Sequence, residues 1–126
     1  MIDHMTFRVI DVAATRRLYE AALAPLGYRV LHEFEFDGQK MFGMGFDTSE
    51  GTKVTTWFIQ GASEYGEPVT RGCHLAWKAP TRAAVDAFYS AAVANGAKDN
   101  GAPGVRPHYH PNYYGAFVID LHGNNI

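Results

Sequence analysis

Hydrophobic and polar positions alternate from the first residues of the chain. Met5, Phe7 and Val9 fall on one side and His4, Thr6 and Arg8 on the other, the period of a half-buried strand. The spacing then changes. Ala14, Leu18, Ala22 and Leu23 recur at helical intervals behind Asp11, whose short carboxylate suits a helix N-cap, until Pro25 and Gly27 punctuate the run. Three strand-like runs follow over residues 28–36, 40–47 and 52–60, and Asp37-Gly38 between the first two is a hairpin-turn signal.

The pattern then starts again. Shifted by 70 residues, His74 falls on His4, Lys78 on Arg8, Thr81 on Asp11, Phe88 on Leu18 and Tyr89 on Tyr19. Leu75, Trp77 and Ala79 alternate with His74, Ala76 and Lys78, which predicts a second strand with its histidine on the polar face. Thr81 then caps a helical stripe of Val85, Phe88 and Ala92 that ends at Asn95-Gly96. Residues 97–115 are rich in Gly, Pro and Asn and predict loop. A clear strand returns over 114–120, and residues 121–126 read as a turn entering a last strand. The stretch 61–72 is the natural seam. The expected organisation is one domain over 1–126, with one module at about 1–62 and a second at about 72–126.

Composition narrows the function classes. At 126 residues, 47% hydrophobic and 13% aromatic, the chain is large enough to bury a core without disulfides. A formal net charge of −2 and an isoelectric point near 6.3 give no general attraction to nucleic acid or anionic lipid. No apolar run reaches the roughly 20 residues of a membrane span, and the start of the chain lacks the pattern of a signal peptide. With one cysteine, Cys73, there is no internal disulfide, and a cytoplasmic location is expected. Cys73 reads as a small buried thiol, and His32 and His122 as ordinary surface residues. No nucleophile elbow, Walker loop, HExxH or dinucleotide fingerprint is present.

The opening "IDH", the first helix closing on "LGY", the second opening "CHLAWKAP" and the closing "GAFVIDLHGNNI" together resemble the vicinal oxygen chelate superfamily of glyoxalases, bleomycin-resistance proteins, extradiol dioxygenases and fosfomycin-resistance enzymes. The resemblance spans nearly the whole chain. It implies an α+β fold of two βαβββ modules forming an incomplete barrel around a concave site, in a homodimer. It also implies a divalent metal, Fe, Mn, Ni or Zn, held by His4 and His74, with a carboxylate on the last strand of one or both modules. Residues 52–60 contain no Asp or Glu, Gln60 being the nearest substitute, and the other carboxylate is expected just after Ile126.

Two functions follow as expectations. One is a glyoxalase- or dioxygenase-like metalloenzyme that binds a small molecule through adjacent oxygens; the other is a metal-free, bleomycin-resistance-type binder of an aromatic or amphipathic compound. Trp57, Tyr109 and Tyr113, together with Tyr114, are candidate walls for a planar ligand. Arg8 and Lys78 share the histidine faces and are candidates for neutralising an anionic substrate. His108 and His110 would share a face if their segment were extended, which makes them a candidate pair behind the metal ligands.

Overall fold

A computed structural model describes residues 2–66 and 68–126; Met1, and Glu67 within the expected seam, lie outside the described residues. The order is β1 (Met5–Val9), α1 (Val12–Leu23), a 3-10 turn (Ala24–Leu26), β2 (Arg29–Phe36), β3 (Gln39–Thr48), β4 (Gly51–Gln60), α2 (Arg82–Ala94), β5 (Lys98–Val105) and β6 (Tyr114–Ile119). Both helices start where the side-chain chemistry predicts. The Asp11 carboxylate accepts from the Ala14 amide at 2.9 Å, and the Thr81 hydroxyl accepts from the Ala84 amide at 3.1 Å. The two caps lie at the same offset as the two histidines.

The first sheet has four strands in the order β1-β4-β3-β2, with β1 parallel to β4 and the other pairs antiparallel. The turn between β2 and β3 puts Asp37 and Gly38 at φ 49° and 74°, the positive pair that a tight hairpin turn of matching twist requires. One bulge has a specific cause of survival. A side chain at Gly45 would place its Cβ 1.8 Å from the Lys53 carbonyl oxygen, so only glycine fits where β3 crosses this irregularity in the ladder with β4.

The second sheet repeats the strand order of the first. Its named strands, β5 and β6, pair antiparallel. Ile126 exchanges backbone hydrogen bonds with Val118 at 2.9 and 2.8 Å, while the Asn125 amide donates to the Cys73 carbonyl and the Leu75 amide to the Asn125 carbonyl. The spatial sequence is therefore residues 73–75, then 124–126, then β6, then β5, with a parallel bridge at His74 and Asn125. The alternation over 73–79 predicts a full strand. A bridge forms at His74, and the backbone hydrogen bonds to residues 124–126 reach from Cys73 to Leu75. Conversely, the Gly- and Pro-rich stretch expected to be loop contains β5, which tolerates Gly101, Pro103 and Gly104 by breaking its register between Asp99 and Gly101 and again before Gly104.

The helices and the inner faces of the sheets enclose one core. Phe42 stacks on Phe58 with ring centroids 4.7 Å apart, and Tyr19 packs on Phe58 at 4.5 Å. Tyr19 is the joint between the halves, since it also meets the edge of Trp77 at 6.0 Å and its hydroxyl donates to the Asp120 carboxylate at 2.7 Å. The result is an α+β fold without a closed barrel. Among the described residues no helix is long and apolar enough to cross a membrane.

Candidate functional site

On the first sheet, Phe7, Phe42 and Phe58 point into the core, so the alternate positions form the opposite face. Trp57 sits centrally on that face, paired in register with Thr6 on β1 and Gly43 on β3. Its indole lies over Gly43 so closely that a Cβ there would stand 2.8 Å from the ring. The His32 ring is stacked beside it at 6.0 Å, and Phe34 meets it edge-on at 5.8 Å. Phe34 remains 48% exposed. A flat aromatic platform bordered by two further rings is a surface for a planar apolar group. Arg8 is tied down at the edge, its guanidinium donating to Gln39 Oε1 at 3.2 Å and the Ala62 carbonyl at 3.1 Å.

The two repeated histidines have equivalent local chemistry. His4 Nδ1 lies 3.0 Å from Asp3 Oδ1, and His74 Nδ1 lies 3.1 Å from the Asn125 carbonyl oxygen. Carboxylate and carbonyl oxygens only accept, so Nδ1 is the donor in both rings and Nε2 takes no part in either contact. Hydrogen bonding by His4, followed by that of Lys53, holds the Asp3 carboxyl below its usual range. Among the described residues, no three His, Cys, Asp or Glu side chains converge as a group able to hold a metal. His4 and His74 each offer one imidazole donor, and among the described residues no group of three such ligands includes either.

On the second sheet the face away from α2 carries His74, whose ring is 6.2 Å from Phe117, with the Arg106 guanidinium 5.8 Å from the centroid of Phe117. A cavity of about 360 Å³ reaches from His74 and Phe117 through to α2 and is bordered by His74, Trp77, Lys78, Phe88, Tyr113 and Phe117. Tyr113 lies across Gly115, where a Cβ would come 2.9 Å from the ring. Tyr114 turns toward α2, donating to Asp86 at 2.7 Å beneath the Arg82 guanidinium. The Asp86 hydrogen bond, followed by desolvation, raises the Tyr114 phenol above its usual range.

The structure thus gathers His74, Lys78 and Tyr113 around one cavity and leaves Trp57 and Arg8 on the other sheet. Tyr109 is exposed at a loop tip, 5.0 Å from Tyr113. His108 and His110 do not occupy an extended segment: the chain makes consecutive turns there, packing His108 on Tyr109 at 4.3 Å and His110 against Tyr113 at 5.4 Å. Cys73 is exposed, contrary to the expectation of a buried thiol. It lies just before the bridge, on backbone that never enters a full strand.

His122 is also reversed, being buried rather than at the surface. Its Nε2 accepts from the Ile10 amide at 3.1 Å, and burial pushes its pKa below the ordinary value. Asp120, beside it, gave no signal in the sequence. Its buried carboxylate accepts from the amides of His122 and Asn124, from the Asn124 side chain and from Tyr19. That clamp fixes the turn that delivers Asn125 to His74. The Tyr19 phenol is pushed well above its usual range, by burial first and then by the Asp120 charge.

Comparison with known proteins decides the lineage. The family model described as Glyoxalase/Bleomycin resistance protein/Dioxygenase superfamily matches residues 1–126. The chain belongs to that superfamily. Among solved structures, this glyoxalase-superfamily chain is similar to a glyoxalase/bleomycin resistance protein from Albidiferax ferrireducens, with 25% identity, a TM-score of 0.70, and 98% of this chain and 93% of that one covered. A glyoxalase/bleomycin resistance protein/dioxygenase family enzyme from Burkholderia phytofirmans shares the fold at 19% identity and a TM-score of 0.66, covering 98% and 93%. A glyoxalase I mutant from Zea mays does so at 19% and 0.61, with 97% of this chain laid on 43% of that one. No curated protein matches.

Proposed function

We propose that this member of the glyoxalase superfamily binds a planar aromatic or amphipathic small molecule on the outer face of its first sheet, with Trp57 as the platform. The carrying observation is the indole seated on Gly43 and bordered by His32 and Phe34. A ring stacked there gains contact on one whole face and edge contacts from two neighbours. Such aromatic pairs contribute about 0.5–1.5 kcal/mol beyond buried area. The imidazole of His32 supplies a polar group at the rim, which orients a ligand oxygen or nitrogen. Gly43→Ala should push the indole off its seat while leaving the ladder intact. Calorimetric titration of a set of planar aromatic acids and amines should give binding to the wild type that drops about tenfold or more in Gly43→Ala and in Trp57→Ala. Equal affinity in all three proteins would remove the platform from consideration.

A second reading, a metal-dependent glyoxalase- or dioxygenase-like enzyme, is favoured by one specific observation. His4 and His74 both present Nε2 with Nδ1 committed to an oxygen, the arrangement common to metal-ligating histidines. A divalent ion bound there would supply Lewis-acid polarisation of two adjacent substrate oxygens. The chain's own contribution is orientation: Asp3 and the Asn125 carbonyl fix the two rings. Under this reading, His4→Ala and His74→Ala each lower the stoichiometry of retained Zn or Mn while the circular dichroism stays unchanged. Unchanged metal content in both variants removes these residues as ligands.

A further inference from the structure

The face of the first sheet that carries Trp57 also carries a cation held at both ends. Arg8 stands between the buried Phe7 and Val9, so its side chain leaves the strand on the side away from the core. Its backbone is held on the edge of β1: the Arg8 amide donates to the Thr70 hydroxyl at 2.9 Å, and the Thr70 amide donates to the Arg8 carbonyl at 2.9 Å. The head is held as well. Nη1 uses both of its hydrogens, one on Gln39 Oε1 and one on the Ala62 carbonyl. Among the described residues, Nε and Nη2 make no hydrogen bond. That edge of the planar guanidinium is the one that matches the two oxygens of a carboxylate.

Strand register sets how far this cation stands from the indole. Arg8 is paired with Ile59, and Ile59 with Met41. Ile59 follows Trp57 on the same face of β4, one same-face step of about 7 Å. The guanidinium then leans toward Gln39, which lies two residues from Met41 on the side away from Gly43, the partner of Trp57. The cation is therefore a full step or more from the ring. The ground between them is apolar, since Ile59 and Met41 are both half-buried on this face. Read along the sheet, the face is aromatic, then aliphatic, then cationic.

Resting on the reading of Trp57 as the platform, we propose that the ligand of this face is an aryl carboxylic acid that carries its acid group on a short arm. The ring stacks on Trp57, the arm crosses Ile59 and Met41, and the carboxylate meets the Nε–Nη2 edge of Arg8. Gln39 is a positioning residue: it fixes the guanidinium before the ligand arrives, which lowers the ordering cost of binding. A carboxylate attached directly to a single ring falls short of the cation, whereas a two-carbon arm spans the step. A cationic amine of the same shape meets Arg8 as a like charge and is disfavoured.

The test titrates the 126-residue chain with trans-cinnamate, its uncharged isostere cinnamamide, and benzoate, following the Trp57 indole resonance and the heat of binding. Cinnamate should bind more tightly than either of the others by about tenfold or more. Arg8→Gln should bring cinnamate down to the affinity of cinnamamide and leave cinnamamide where it was. Gln39→Ala, which removes one anchor of the guanidinium, should narrow the preference part-way with cinnamamide again unchanged, a split that a loosened fold would not produce. Equal binding of cinnamate and cinnamamide by the wild type, with Trp57 moving in both titrations, would overturn this inference and leave the platform standing; Arg8 would then be only a strap between strands. A preference for cinnamate that survives in Arg8→Gln would overturn it as well. No movement of Trp57 with any of the three would overturn the platform, and this inference with it.

Discussion

The two sheets share a topology and differ in how tightly their cores are packed. In the first, β1 runs beside ten-residue β4, and every core position from Met44 to Phe58 is closed over. In the second, Asn125 and Ile126 pair with residues 73–75 on one side and Val118 on the other, and Phe88 and Trp77 border a cavity. Local pattern made both halves resemble each other in sequence. What separates them is packing between distant segments, which local alternation does not encode. The first sheet holds an indole flat on Gly43.

The largest test of this contrast is a matched pair of truncations. Phe58→Ala should cost about 3–5 kcal/mol in urea unfolding, because the ring stacks on Phe42, Phe7 and Tyr19 with no solvent contact. Phe88→Ala should cost clearly less, since its ring already borders a cavity. Equal losses would mean that the second sheet is as well packed as the first.

Tyr19→Phe should have an intermediate effect. It removes a donor from the buried Asp120 carboxylate while keeping the ring, and should cost about 1.5–3 kcal/mol. Hydrogen exchange should rise at residues 120–126 and stay unchanged in β3 and β4. Uniform loosening of both sheets would show that Tyr19 is not a joint specific to the second.

The smallest expected effect is on pH dependence. Burial lowers the folded-state pKa of His122, and neutral Nε2 is the acceptor for the Ile10 amide. The unfolded chain therefore binds the proton more readily. The contribution of His122 is present above its unfolded pKa near 6.5 and is lost as pH falls through the lowered folded value. His122→Gln should flatten the stability profile in that acidic window, as followed by thermal melts.

Much of the architecture was legible because its signals are local. Asp11 and Thr81 cap helices by contacts three residues away, and Asp37-Gly38 needs only its own φ angles. The failures are long-range. Residues 73–79 carry a strand's alternation, yet a strand also requires a partner, and pairing ends at Leu75. Residues 98–105 look like a loop because Gly and Pro weaken a ladder, but β6 supplies enough pairing to hold them with interrupted register. His122 and Asp120 are buried by contacts with Ile10 and Tyr19, more than 100 positions earlier. The platform was half legible: Trp57 was recognisable as a candidate wall, whereas His32, Phe34 and Gly43 join it only through the β2-β3-β4 register.

The most direct measurement is a nitrogen-proton correlation spectrum of the two indole amides, Trp57 and Trp77, during titration with a planar aromatic acid. The account predicts that the Trp57 resonance moves saturably, that the Trp77 resonance stays in place, and that Gly43→Ala abolishes the movement. Movement of Trp77 alone, or of both resonances equally in the Gly43→Ala variant, would contradict it and put the small-molecule site elsewhere.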